Sequence, residues 1–188
     1  DKELNDMRMK TGMLFQNYGL FDSMTVGENV GFLLTQHSQL SQTEIRTRVK
    51  ETLHQVNLEN VEELKPVELS GGMKKRVGIA RALVHNPDIV YFDEPVAGLD
   101  IANQTRVLDT LVALAREGLA IVYSTHDPNH ALRAGSEVLL MAPGDDPVLG
   151  AVDALVEPGA LARAYGTAIE EARTASGRRL LAPGAPLP

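Results

Sequence analysis

The 188-residue chain predicts an α/β fold built on a parallel sheet, and two observations carry that expectation. Short apolar runs of strand length alternate with segments whose apolar residues recur at helical spacing, the pattern of strands joined through crossover helices. The run Ile89-Val90-Tyr91-Phe92 is continuously apolar, as expected for a strand covered on both faces.

In chain order, Met13-Leu14-Phe15 reads as a strand meeting a loop at Gln16. Ser41 followed by Glu44 forms a capping box, and Ile45, Val49, Leu53 and Val56 then repeat at helical spacing. A turn at Lys65-Pro66 leads to Leu69-Ser70-Gly71-Gly72-Met73, which opens a helix bearing Met73, Val77, Ala80, Leu83 and Val84 on one side and stopping before Pro87. Asp100 caps a helix bearing Val107, Leu108, Leu111, Leu114 and Ala115, and Gly118 ends it. AIVYS and EVLLM are two further buried strands, with a short helix from Pro128 between them. Beyond Met141, PGDDP is a turn, residues 160–165 a small helix, and APGAPLP a loose tail.

Hydrophobic residues at 44% and charged residues at 23% are ordinary globular values, so wholesale disorder is not expected. The net charge of −7 argues against a general nucleic-acid binder. With no cysteine there is neither a disulfide framework nor a thiolate metal site, which fits a reducing cytosol. No apolar run approaches the ~18 residues of a membrane-spanning helix, and residues 1–10 are mixed in charge, unlike a signal peptide.

The chemistry concentrates at a few places. IVYFDEP delivers two carboxylates at the carboxyl end of a buried strand, where ligands bind in open α/β sheets. Asp93 suits a water-held Mg²⁺, and Glu94 suits orienting or deprotonating an attacking water. A solvent-facing acidic pair is the plain alternative. Free backbone N–H groups and the helix dipole at LSGGM suit phosphate, with Ser70 adding a hydroxyl and Gly71-Gly72 permitting close approach, although a simple turn before a helix has the same composition. His126, in STHD, follows a strand and has the chemistry to hydrogen-bond a terminal phosphate from the same crevice, or to be structural. His126 and His130 are separated by Asp127-Pro128 and offer no metal triad, and no GxSxG elbow supports a Ser/His/Asp hydrolase.

Gln16, LSGGM at 69–73, the apolar run into Asp93-Glu94, AGLD at 97–100 and His126 stand in the order seen in ATP-binding-cassette ATPases, and Met13 to Met141 resembles that family. The resemblance implies a P-loop-NTPase-like parallel sheet with a helical signature subdomain. It implies ATP and Mg²⁺ as cofactors, transmembrane permease subunits and a second ATPase subunit as partners, no nucleic acid, and a peripheral place at the cytoplasmic face of the inner or plasma membrane. By the same resemblance Gln16 touches Mg²⁺ and senses the transport subunit, and Ser70, Gly71 and Gly72 close over ATP held by the partner. Asp93 is then the Walker B carboxylate, Glu94 the general base, Ala97 to Asp100 the D-loop and His126 the switch histidine. The domain expectation is a partial ATPase domain over 1–142, its helical part at about 20–85, and an extension over 143–188.

The family's phosphate cradle, GxxxxGK[ST], has no counterpart here, since no lysine follows a glycine anywhere in the chain. The expected fold therefore lacks its N-terminal strands and P-loop, and the isolated chain is expected to be inactive. An opening Asp1 in place of Met favours a fragment. GMLFQNYGLFDSMTVGENVGF with LSGGMKKRVGIARAL resembles ATPases of Mla/Mce-type phospholipid importers, where residues 19–29 would dock the membrane subunit's coupling helix. Phe15, Phe21 and Met24 either line that groove or pack internally. LDIANQTRVLDTLVALAREGLAIVYSTHDPNHAL and LARAYG resemble iron-siderophore and cobalamin importer ATPases, so a change of style is expected near Gly98 to Asn103. Two other classes stand beside the transport reading. A soluble cassette for translation or repair would carry tandem cassettes or coiled coils, and a non-catalytic cassette would not need the retained Glu94 and His126.

Overall fold

In the computed structural model, residues 7–15 and 18–184 are described, and they form two compact units, one over 1–124 and one over 125–188. The first unit holds a parallel sheet of β1 (Thr11–Leu14), β2 (Ile89–Phe92) and β3 (Ala120–Tyr123) in that spatial order, with Leu14 paired to Phe92 and Phe92 to Tyr123. Among the described residues it is accompanied by α1 (Val26–His37), α2 (Gln42–Gln55), α3 (Gly71–Leu83) and α4 (Ile101–Arg116), with a 3-10 turn over Pro66–Glu68.

Capping chemistry sets the helix starts. Thr25–Glu28 and Ser41–Glu44 form reciprocal capping boxes on α1 and α2, satisfying amides that the first turn leaves without partners. Val26, Val30 and Leu34 of α1 and Ile45, Val49 and Leu53 of α2 are buried, each such side chain stabilising the fold by roughly 1.5–3 kcal/mol. Helices α1 and α2 approach closely because Gly31 has no side chain. A methyl there would lie 3.1 Å from Ile45 Cγ2 and 3.2 Å from Val49 Cγ2. At Gly12 an added Cβ would lie only 2.2 Å from the Ala82 carbonyl oxygen, so α3 rests directly on β1.

The sheet is covered differently from expectation. Leu14, Val90 and Phe92 are buried, whereas Met13, Tyr91 and Val122, aligned across the strands on the other face, stay 50%, 44% and 51% exposed. The continuous run IVYF was expected to be covered on both faces. Alternation sends its residues two ways, and only one way meets core.

The segment before α1 is tied down by the side chains of Asn29 and Arg81. Fully buried Asn29 accepts the Phe21 amide at 2.7 Å and donates to the carbonyls of Phe21, Met24 and Thr25. Arg81 of α3 donates to the carbonyls of Gly19 and Tyr18. Phe21 is both half-exposed and packed on Phe32, with ring centroids 5.0 Å apart.

The second unit contains α5 (Pro128–Ala134), the antiparallel hairpin β4 (Glu137–Leu140)–β5 (Val148–Ala151), α6 (Val152–Leu155), α7 (Pro158–Tyr165) and the hairpin β6 (Ile169–Arg173)–β7 (Arg179–Pro183). Its core gathers Ala131, Val152, Val156, Leu161 and Leu181. EVLLM, expected as a buried parallel strand, is half-exposed and pairs antiparallel with β5. That pairing spans the boundary expected at 142–143, which therefore falls inside the second unit. Part of the expected loose tail is also a strand: Ala182 and Pro183 pair with Glu170 and Ile169, and the Asn129 amide bonds both backbone groups of Leu181 at 2.9 Å.

Candidate functional site

The carboxyl end of β2 carries the first cluster. The Asp93 amide continues the sheet by donating to the Leu14 carbonyl at 3.0 Å, and the carboxylate faces solvent. Glu94 then turns left-handed, with φ 49, a conformation uncommon for a side chain of this size and restricted further by the following Pro95. Such a backbone persists only when its surroundings fix it, and it concentrates at functional positions.

Two side chains fix it here. Ser124, just past β3, receives the Glu94 N–H at 2.9 Å and donates its own hydroxyl to Asp93 Oδ1 at 2.8 Å. Lys75, from α3, donates Nζ to the Glu94 carbonyl at 3.0 Å. Lys75 is fully buried, and its ammonium lies 5.2 Å from the centroid of the Tyr18 ring. Burial pushes its pKa down, while the charges of Asp93 and Glu94 oppose that shift.

LSGGM forms the second cluster. Ser70 is the N-cap of α3, its hydroxyl accepting the Met73 amide at 3.3 Å, and Gly71 and Gly72 are the first helical residues. The two glycines differ. Gly71 is exposed, with room for a methyl, whereas a Cβ on Gly72 would meet Asn103 Oδ1 at 2.6 Å. Asn103 in turn donates to Asp100 Oδ2 at 2.6 Å, and its amide bonds Asp100 Oδ1 at 2.9 Å, so Asp100 caps α4 while touching the residue beneath Gly72. These bonds, led by the Asn103 backbone N–H, hold the Asp100 carboxyl below the usual carboxylate range.

The first unit therefore brings Asp93, Glu94 and Ser124 together, and separately Gly72 and Asp100 through Asn103. Lys75 links α3 to Glu94. His126 belongs to the second unit, where its carbonyl accepts the Tyr165 hydroxyl at 2.8 Å and its side chain is exposed. Gln16 lies outside the described residues. No group of three or more His, Cys, Asp or Glu able to hold a metal occurs among the described residues.

Sequence reasoning passed over Lys75, Asn103 and Ser124. Lys75 reads as one more surface base in KKR, yet its spacing from Gly72, Ile79 and Ala82 places it on the buried stripe of α3. Ser124 sits within the quoted STHD, where the histidine drew the interest. Asn103 carried no sequence signal beyond standing three residues after a capping Asp.

The model of the ABC transporter family matches residues 1–97. The chain is 38% identical over 143 residues to the glutamate transport ATP-binding protein GluA of Corynebacterium efficiens, covering 76% of this chain and 59% of that protein. It is 40% identical over 144 residues to the methionine import ATP-binding protein MetN of Lactobacillus johnsonii, covering 76% of this chain and 41% of that protein. To the glycine betaine/proline betaine transport protein ProV of Escherichia coli it is 39% identical over 158 residues, covering 83% of this chain and 39% of that protein. The chain thus spans 59% or less of these relatives. Among solved structures, the ATP-binding cassette MJ0796, a dimer bound to ADP and Pi, superposes with TM-score 0.70 at 33% identity, over 81% of this chain and 67% of that one. A metal-chelate type ABC transporter in an inward-facing conformation superposes with TM-score 0.82 at 22% identity, over 93% and 72%, a likeness of fold alone. With more than half its length matched by the family model, and with a parallel sheet and helices arranged as in solved cassettes, the chain belongs to the ABC transporter family and carries its ATPase-domain fold.

Proposed function

We propose that this chain is part of the ATP-hydrolysing subunit of an ABC importer for a small solute. The observation that carries the reading is the pinned, left-handed Glu94 beside a solvent-facing Asp93 at the carboxyl end of β2. Bound Mg-ATP would supply the phosphoanhydride that water cleaves. Asp93 would hold the cation through water. The Glu94 carboxylate orients the attacking water and takes its proton, while Ser70, Gly71 and Gly72 present donors to phosphate held by a second ATPase subunit. By the family resemblance Asp100 would reach across that dimer, Gln16 would touch Mg²⁺ and sense the membrane subunit, and His126 would be the switch histidine.

The residues present fit this ligand in part. The exposed start of α3 and the Asp93 carboxylate suit phosphate and cation, but the 188 residues contain no GxxxxGK[ST] segment to cradle the β- and γ-phosphates. By themselves they should not turn ATP over. Transmembrane permease subunits are the proposed partners and would place the chain at the cytoplasmic face of a membrane. No helix of the described residues is long and apolar enough to cross one.

The relatives described above serve glutamate transport, methionine import and glycine betaine/proline betaine transport, which supports a small polar solute over the phospholipid and siderophore readings of the two halves. A 143-residue match within 188 residues must also run across Gly98–Asn103, which supports one continuous lineage over a join at that point.

The test is Mg-ATP turnover by a fusion that places a cassette GxxxxGK[ST] segment ahead of residue 1, with its Glu94→Gln variant and the 188 residues alone beside it. Expected are turnover in the fusion, nucleotide binding without turnover in Glu94→Gln, and none in the chain alone. Turnover near the parent's in Glu94→Gln would remove Glu94 from the role. Turnover by the chain alone would mean that another segment cradles the phosphates.

A further inference from the structure

Lys75 has the hallmarks of a group kept for position rather than for solubility. An ammonium taken out of water costs several kcal/mol unless hydrogen bonds and opposite charge compensate it. Lys75 is nonetheless completely buried on the inner stripe of α3, one turn after the Gly71-Gly72 start. Its Nζ meets the Glu94 carbonyl at 3.0 Å and the face of Tyr18 at 5.2 Å, with the carboxylates of Asp93 and Glu94 as the charges that favour its protonated form.

The target of that bond is the strained residue. With φ 49, Glu94 is held on its N–H side by Ser124 and on its C=O side by Lys75, from two different elements. The aim of the Glu94 carboxylate depends on this backbone conformation, because a left-handed residue sends its side chain away from the path of the strand.

We propose that Lys75 is a positioning residue that clamps the Glu94 carbonyl, fixes the direction of the Glu94 carboxylate and transmits the position of the LSGGM helix to it. Any shift of α3 along or about its axis moves Nζ and loosens the clamp, so the carboxylate is aimed only when α3 is seated. The catalytic consequence rests on Glu94 acting on the attacking water. The clamp does not.

The experiment reads the two separately. In the 188-residue chain, amide hydrogen exchange over residues 93–97 is compared between the parent and Lys75→Met, which keeps the buried stem but lacks the donor. Expected is a loss of protection of about tenfold at 93–97, the scale of one charge-assisted hydrogen bond, with residues 76–83 of α3 unchanged. Unchanged protection at 93–97, or an equal loss throughout α3, overturns the clamp. Should Lys75→Met not fold, the Lys75 ammonium protons of the parent are followed by ¹H–¹⁵N NMR. Slow exchange supports the clamp, and exchange as fast as that of the surface lysines overturns it. In the fusion described above, Lys75→Met should lower kcat by about tenfold while leaving nucleotide affinity unchanged. Full kcat alongside a demonstrated clamp would overturn the catalytic consequence, and an active Glu94→Gln would instead fault the role of Glu94.

Discussion

Adjacent glycines in LSGGM should respond to the same added methyl with opposite sign. In Gly71→Ala the new carbon meets Tyr18 Oη at 3.6 Å and Leu99 Cδ2 at 3.9 Å, ordinary contacts. The helix propensity of Ala then dominates, discounted in a first turn to a gain of about 0.5 kcal/mol. In Gly72→Ala the carbon falls 2.6 Å from Asn103 Oδ1 and 2.7 Å from Asn103 Cγ, so Asn103 must swing away and surrender its 2.6 Å bond to Asp100. That bond is worth about 1–2 kcal/mol and residual crowding about 1 kcal/mol more, less the same propensity gain, for a net loss of about 1.5–2.5 kcal/mol. With a urea slope of about 2 kcal/mol/M, the midpoint should fall by about 1 M in Gly72→Ala and rise by about 0.25 M in Gly71→Ala. Circular dichroism in urea reads both. Combining Gly72→Ala with Asn103→Ala leaves the methyl nothing to strike, so the double-mutant cycle should show a coupling of at least about 1 kcal/mol. The reasoning fails if Gly72→Ala is as stable as Gly71→Ala, or if the cycle is additive within about 0.3 kcal/mol.

Ser124→Ala removes the hydroxyl that joins Asp93 to the Glu94 amide at 2.8 and 2.9 Å. Because the site is open to water, the loss should be about 1–2 kcal/mol, read as a thermal midpoint lower by about 2–8 °C, while Ser124→Thr should stay close to the parent. An unchanged midpoint in Ser124→Ala would dismiss the bridge. The Asp100 cap should be sensitive to acid. Its folded-state pKa is depressed chiefly by the Asn103 amide, so its contribution is complete above the unfolded value of about 3.9 and disappears as pH falls through the lower folded value. The stability difference between the parent and Asp100→Asn, followed from pH 6 to pH 2.5, should be flat above about pH 5 and change only below about pH 4. A difference that changes between about pH 5 and 7 would contradict this sign.

Much of the first unit was legible because it rests on local chemistry. Ser41–Glu44 and Asp100 each cap the helix they were expected to cap, and the period of Ile45, Val49 and Leu53 gives the buried face of α2. The order of LSGGM, Asp93-Glu94, AGLD and His126 identifies the family from one chain, since motif order along a sequence needs no knowledge of packing. Pairing and coverage were not legible. EVLLM has the composition of a parallel strand, yet its partner is Val148–Ala151, and composition does not name a partner. Nor does an apolar run reveal which face meets core, as Met13, Tyr91 and Val122 demonstrate.

The sequence by itself thus determined the family, the helix caps and the carboxylate pair at the end of β2. Only the tertiary structure decided how that pair is held. Lys75, Ser124 and Asn103 lie 19, 30 and 31 positions from the residues they bond or abut. Contacts at such separations depend on how α3, α4 and β3 pack against one another. Burial then turns an ordinary lysine of a basic run into a fully enclosed donor aimed at one strained carbonyl.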